Sequence, residues 1–337
     1  MELEGHPSDP PQPGEVRLGY GQEVSDDPAR SNARRDLRNA RAGEYSCTVP
    51  VSTHLVDLDQ RPDLGPAVLG LFAACPPGAE HQVCGIAAWM GLTPTQVTLD
   101  QAAGVLVMMA GNRAVAALAI CPYSEEQVTI WGPAISHGAP AAVGGDMLEA
   151  ARGALQLSRY GSVRALVDSR NRTARTLLQS HGFNAWKDNV LFERRIETSQ
   201  AEQATRVRLA TARDHSTVAT VFIQGFPDSD HCLPNLAKRE HEGFRHYLLE
   251  DAGRVVAAAA VQDAGGRAWL KLITTRPDLR GKGHSRMLLD GLLVEEAKRH
   301  SRAIALEVLV DNQAAAHLYE ASGFKRKFTT TVMTGPV

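Results

Sequence analysis

Arg276-Pro277-Asp278-Leu279-Arg280-Gly281-Lys282-Gly283-His284-Ser285 is a glycine-bearing turn set between two segments of different periodicity. Upstream, Trp269-Leu270-Lys271-Leu272-Ile273-Thr274-Thr275 reads as a strand; downstream, Met287, Leu288, Leu289, Leu292, Leu293 and Ala297 form the apolar face of a helix. A strand that passes through glycines into a helix brings backbone N–H groups close to an anion, and the helix start adds about half a positive charge there. Arg280 and Lys282 strengthen the case for a phosphate. The turn is neither a nucleoside-triphosphate loop nor a dinucleotide loop, because G-x-x-x-x-G-K-[ST] and G-x-G-x-x-G are both absent from it. The competing reading is a surface turn with two glycines and solvated cations, and context must decide between the two.

That context lies about 30 residues on, where Ala305-Leu306-Glu307-Val308 reads as a strand followed by Asn312-Gln313-Ala314-Ala315-Ala316-His317-Leu318-Tyr319-Glu320-Ala321-Ser322-Gly323-Phe324. Together the two segments resemble the GNAT superfamily of N-acetyltransferases. Arg280 to Ser285 matches its pyrophosphate loop, [Q/R]-x-x-G-x-[G/A], except that Ser285 replaces Gly or Ala, and Asn312 to Phe324 resembles N-x-x-A-x-x-x-Y-x-x-x-G-F. The resemblance implies an α+β fold whose mixed, mostly antiparallel sheet is flanked by helices and splayed between its fourth and fifth strands to admit a pantetheine arm. It implies acetyl-CoA as acyl donor and no metal. The donor's pyrophosphate would be held by Arg280, Gly281, Lys282, Gly283, His284, Ser285 and Arg286, with Asn312 contacting the donor as well. By the same resemblance the main chain of Ile273, Thr274 and Thr275 bonds the acyl-pantetheine arm and polarises the thioester carbonyl.

Tyr319 would then sit near the donor's sulfur. An amine attacks the thioester, the tetrahedral intermediate collapses, and the departing thiolate takes a proton from a nearby phenol, so Tyr319 is the expected general acid. The other reading of Tyr319 is a half-buried core tyrosine. No carboxylate stands on the strand over 267–275, which leaves Glu307, Asp228, His231 and Asp263 as candidate bases and none assigned. The acceptor is a primary amine on a small molecule, a peptide or a protein.

The element order of the second half is already present in the first. Strands are expected at Thr53–Leu58, Gly104–Met109, Ala114–Ile120, Gln127–Trp131, Ser162–Val167 and Asn189–Ile196, with helices near 62–74, 80–91, 147–157 and 171–181. A second series follows: a strand over Arg206–Ala210, helices near 213–224 and 234–244, and strands near 246–250, 254–262 and 267–275. Asn171 to Phe183 aligns with Asn312 to Phe324 at a constant offset, sharing Asn171/Asn312, Ala174/Ala315, Leu177/Leu318 and Gly182-Phe183/Gly323-Phe324. The copies differ where chemistry is expected. His137-Gly138-Ala139-Pro140 through Gly145 lacks the Arg-x-x-Gly pattern, and Leu178 stands where Tyr319 does. Residues 49–197 therefore read as a degenerate, catalytically silent copy and 205–337 as the catalytic domain, a tandem arrangement similar to that of mycothiol synthase.

The 337 residues suit two domains, and 43% apolar with 22% charged residues marks a soluble α/β chain. A formal charge of -2 sets up no field for nucleic acid or an anionic membrane, and no apolar run reaches the roughly 20 residues of a membrane span. Five cysteines with no C-x-x-C pair fit a reducing cytoplasm and argue against zinc. Residues 1–48, rich in proline and scattered charge, read as a disordered tail; Arg30, Arg34, Arg35, Arg38 and Arg41 in it leave a nucleic-acid contact as a poor third reading. The alternative to an enzyme is a non-catalytic acyl-CoA sensor or scaffold, which would bind acetyl-CoA without consuming it.

Overall fold

The computed structural model describes residues 51–56, 61–74, 102–123, 126–227, 231–263 and 266–337. The expected tail over 1–48, the expected helix near 80–91 and the candidate base Asp228 lie outside them. In chain order the described elements are β1 (Val51–Val56), α1 (Gly65–Ala73), β2 (Gly104–Ala110), β3 (Arg113–Pro122), β4 (Gln127–Ile135), α2 (Val143–Gln156), β5 (Ser162–Asp168), α3 (Arg172–Ser180) and β6 (Asn184–Arg195). The second series comprises β7 (Val207–Leu209), α4 (His215–Gly225), α5 (Leu236–His241), β8 (Phe244–Asp251), β9 (Arg254–Asp263), β10 (Ala268–Thr275), α6 (His284–Lys298), β11 (Ala303–Leu309), α7 (Gln313–Ala321) and β12 (Lys325–Pro336). This is a mixed α/β chain with mostly antiparallel strands, as expected. β12 is an addition to the elements expected from the sequence. No helix among the described residues is long and apolar enough to cross a membrane.

Contacts divide the chain into two compact units that do not follow its halves. The first, called here the loop unit, comprises Glu197–Gln262 and Leu270–His300. The second holds the described residues up to Ile196 together with Asp263–Trp269 and Ser301–Val337.

In the loop unit the strands run in the order β10-β9-β8-β7. β9 carries Ala257-Ala258-Ala259-Ala260, all fully buried although alanine is a poor strand former. Small side chains at these positions leave room for bulky neighbours, and Val218, Phe222, Leu236, Leu248 and Leu272 pack around Ala258 and Ala260. The alternation of β8 sends its residues to opposite faces. Leu248 joins that apolar cluster, while Arg245 and Tyr247 meet α6. There the Tyr247 hydroxyl donates to Glu296 Oε1 at 2.6 Å, and Arg245 Nη2 donates to both carboxylate oxygens at 3.0 and 2.9 Å. Glu296 and Tyr247 are fully buried. Burial together with the adjacent carboxylate pushes the Tyr247 phenol well above its ordinary range, so it acts as a donor.

The second unit is built around an exchange of strands. Its order is β1-β2-β3-β4-β5-β12-β6-β11, so the last strand of each series lies against the penultimate strand of the other. β12 pairs antiparallel with β5 from Thr330↔Asp168 to Pro336↔Ser162, and β6 pairs antiparallel with β11 from Ala303↔Arg195 to Leu309↔Asn189. β12 and β6 also pair with each other, with two register shifts. Side chains tie the exchange: Glu193 of β6 takes Lys327 of β12 at 2.8 Å and Arg267 at 3.4 Å, and the Thr331 hydroxyl donates to Asp188 at 2.6 Å.

Removing the shared carboxylate leaves the Arg245 charge without its buried partner, at roughly 3 to 5 kcal/mol. Glu296→Ala is therefore expected to lower the unfolding free energy, read from a urea titration, by an amount of that order, with Tyr247→Phe costing far less; equal, small effects in both variants would show that the triad does not anchor α6.

Candidate functional site

β10 ends at Thr275, a short 3-10 turn covers Pro277–Leu279, and α6 begins at His284. Gly281 and Gly283 both have left-handed φ, +76° and +81°, which an L side chain adopts only at a cost. A Cβ at either would meet nothing within 4 Å, so the requirement for glycine is in the backbone and the space above the turn is open. Gly283 is the N-cap of α6 and provides no side-chain cap. The N–H groups of the first helical turn have no intrahelical acceptor, and they face this open turn at the positive end of the helix. Arg280, Lys282 and Arg286, all three exposed, stand around it.

Two contacts fix the turn to β10. Thr275 Oγ1 lies 2.8 Å from Ser285 Oγ, and Arg280 Nε donates to the Thr275 carbonyl at 3.4 Å. The first accounts for the serine that departs from the [G/A] of the motif: its hydroxyl is taken up by the threonine that closes β10. The second occupies one carbonyl expected to serve the pantetheine arm. His284 is turned inward and is 6% exposed, with Nδ1 3.1 Å from the Leu279 carbonyl and Nε2 3.5 Å from Asp251 Oδ2. Only its backbone N–H is left facing the turn. Ile273 is half-buried and Thr274 buried on β10. An added Cβ at Gly225, the last residue of α4, would lie 2.0 Å from Thr274 Oγ1, so α4 rests directly on β10 at this glycine.

The structure thus brings Thr275, Arg280, Gly281, Lys282, Gly283, His284 and Ser285 together in the loop unit. Asn312 and Tyr319 belong to the second unit. Asn312 Oδ1 caps α7 by accepting from the Ala315 N–H at 3.1 Å, and Asn171 does the same for α3 with Ala174 at 3.0 Å. The asparagine shared by the two series is therefore a helix cap in both. Tyr319 is 6% exposed between Phe192 and Phe324, each with its ring centroid 5.8 Å away. Burial pushes its phenol above the ordinary tyrosine range, so it is protonated at working pH.

Among the candidate bases, Glu307 is half-buried on β11 and Asp263 is exposed at the end of β9. His231 is buried in the loop unit, its Nδ1 3.0 Å from His246 Nε2 and its ring against Phe222 and Phe244. Burial drives His246 down to about 4, against the pull of the Glu240 carboxylate, so that ring is neutral near pH 7.

In the first series the fourth and fifth strands are splayed. β4 and β5 run parallel only from Gln127↔Ser162 to Ile130↔Ala165, although β4 continues to Ile135 and β5 to Asp168. The β10–β11 register comprises Ala268↔Ile304 and Trp269↔Ala305. In the first series the helix after the splay starts differently: a Cβ at Gly144 would lie 2.9 Å from Leu177 Cδ2 and 3.3 Å from Ile135 Cδ1, so apolar side chains cover the start of α2.

Residues 200–324 match the model of the Acetyltransferase (GNAT) family. No curated relative matches the chain. Among solved structures, a GCN5-related N-acetyltransferase from Sphaerobacter thermophilus is 16% identical with a TM-score of 0.61, over 85% of this chain and 95% of its own. A tandem GNAT protein from the clavulanic acid biosynthesis pathway, solved without AcCoA, is 12% identical with a TM-score of 0.58, over 85% and 98%. A GNAT-family acetyltransferase from Colwellia psychrerythraea is 13% identical with a TM-score of 0.53, over 85% and 100%. At these identities the likeness is one of fold, and it extends over both series of elements.

Gly225→Ala should force α4 away from Thr274, an overpacking that costs roughly 1 to 3 kcal/mol. Gly283→Ala, where space is open and only φ is unfavourable, should cost about 1 kcal/mol. Thermal melts that rank the two in the opposite order would contradict the contact between α4 and β10.

Proposed function

We propose that the chain is an N-acyltransferase that moves an acetyl or short acyl group from acetyl-CoA to a primary amine of a small molecule or protein. The observation that carries this reading is the open, uncapped start of α6 behind Arg280-Gly281-Lys282-Gly283. It offers N–H groups, a helix dipole and nearby cations to a pyrophosphate, within a domain that matches an acyltransferase family. In this reading Arg280, Lys282 and Arg286 neutralise the pyrophosphate, and the N–H groups from Gly281 to Ser285 bond its oxygens. The main chain of Ile273, Thr274 and Thr275 holds the arm, and Asn312 contributes to the donor site while capping α7.

The acceptor nitrogen adds to the thioester carbon, the C–S bond breaks on collapse, and Tyr319 gives its phenolic proton to the thiolate as the amine's proton leaves to solvent or base. The raised pKa of the buried phenol suits a group that must be protonated beforehand. Residues 49–197 are proposed to be the silent copy, since Leu177 and Ile135 cover the helix start that would face a pyrophosphate and Leu178 replaces the tyrosine.

Thiol release from acetyl-CoA, followed across a panel of primary amines, tests the reaction. Turnover with at least one amine is expected, and Tyr319→Phe should lower kcat by about 100-fold while leaving acetyl-CoA affinity intact. Binding without turnover on any amine would make the protein a donor sensor, and full activity in Tyr319→Phe would return Tyr319 to the core.

A further inference from the structure

We infer that His284 is a positioning residue that holds the donor loop in its binding shape by clamping it to Asp251 on the β8–β9 hairpin; this rests on the reading of the loop as the acyl-CoA site. The turn has little backbone support of its own. Its main-chain bonds end with the Arg280 N–H on the Pro277 carbonyl at 3.5 Å and resume with the Met287 N–H on the Gly283 carbonyl at 3.1 Å. Between them stand two glycines, the residues that lose most freedom on ordering. Something other than the backbone must hold this stretch, and a loop that is ordered before binding spares the ligand that cost.

His284 is placed to do it. A carbonyl only accepts, so His284 Nδ1 carries a proton and donates it to Leu279 across 3.1 Å, closing the turn from its last residue to its first. The other side of the same ring, Nε2, lies 3.5 Å from Asp251 Oδ2, an ion-pair distance at which the contact is attractive when Nε2 carries a proton as well. Asp251 is held in turn by Arg206, whose Nη1 donates to Oδ1 at 3.0 Å. With both ring nitrogens protonated, one buried imidazolium links the two ends of the loop to a hairpin outside it.

The hairpin carries a second, independent mark. Asp251 pairs with Arg254, and the two residues between them, Ala252 and Gly253, have φ of 48° and 73°. Positive φ at both positions is the pattern of the type I′ turn, for which asparagine or glycine is the favoured first residue. Alanine adopts this conformation rarely, and strained backbone of this kind concentrates where a neighbouring group must be aimed. Here the neighbour is Asp251, and its target is His284.

The test uses the full chain with Asp251→Ala, His284→Asn and the double variant. The asparagine side chain in His284→Asn is too short to reach Asp251 yet keeps a donor for Leu279, and Asp251 is 39% exposed, so its truncation leaves the fold intact. Acetyl-CoA affinity by calorimetry, the split of KM from kcat, and hydrogen exchange of the amides over 279–286 without ligand are measured on each. The clamp predicts that either single variant weakens acetyl-CoA about tenfold and speeds exchange across the loop, that kcat of Asp251→Ala stays within about twofold, and that the double variant is no worse than the poorer single. Unchanged affinity, additive losses, or a fall in kcat at constant KM in Asp251→Ala would overturn it. Failure of the unaltered chain to bind acetyl-CoA would instead remove the donor-site reading and this role with it, while faster loop exchange in the variants would still register the clamp as a structural contact.

Discussion

The start of α6 imposes the central constraint on this protein. A helix whose N-cap is a left-handed glycine has no side chain to satisfy its first N–H groups, and those groups are stable only in water or against an anion. Around that point the loop unit is braced from several directions. Thr275 and Ser285 share a hydrogen bond across the turn, Arg280 holds the carbonyl of Thr275, and α4 presses on Thr274 through Gly225. At the far end of the helix the Arg245–Glu296–Tyr247 triad fixes its position against β8. Three close donor contacts offset the desolvation of that carboxylate, and they secure a helix whose other end can remain open.

The exchange of β6 and β12 gives the chain a different kind of integrity. Each series of elements supplies the edge that the other lacks, so the unpaired N–H and C=O groups of β5 and β11 are covered by strands from the opposite half. A fragment ending near 197 would carry β6 without β11 or β12. The repeat seen in the sequence and the compact units seen in the contacts cut the chain at different places for this reason, and function is best studied on the intact chain.

What is legible in the sequence is local. The run from Trp269 to Ala297 carries its own punctuation, with β-branched residues, two glycines and a helical apolar spacing, and it folds as read because each of those signals acts over a few residues. β12 escapes such a reading because Lys325-Arg326-Lys327, followed after Phe328 by three threonines, shows no alternation of apolar and polar residues; its burial comes from β5 and β6, far away in the chain. The inward turn of His284 is equally hidden, since Asp251 lies on a separate hairpin and nothing in the spacing links the two. Asn171 and Asn312 do carry a readable signal: asparagine just before a helix caps it, and both do so here.

Native mass spectrometry of the intact chain with acetyl-CoA tests most directly whether the loop from Arg280 to Ser285 is the donor site and residues 49–197 hold none. One donor per chain is predicted, lost when Gly283→Glu is combined with Arg280→Ala. Two donors per chain, or one that survives both substitutions, would place a binding site in the first series of elements and contradict the assignment.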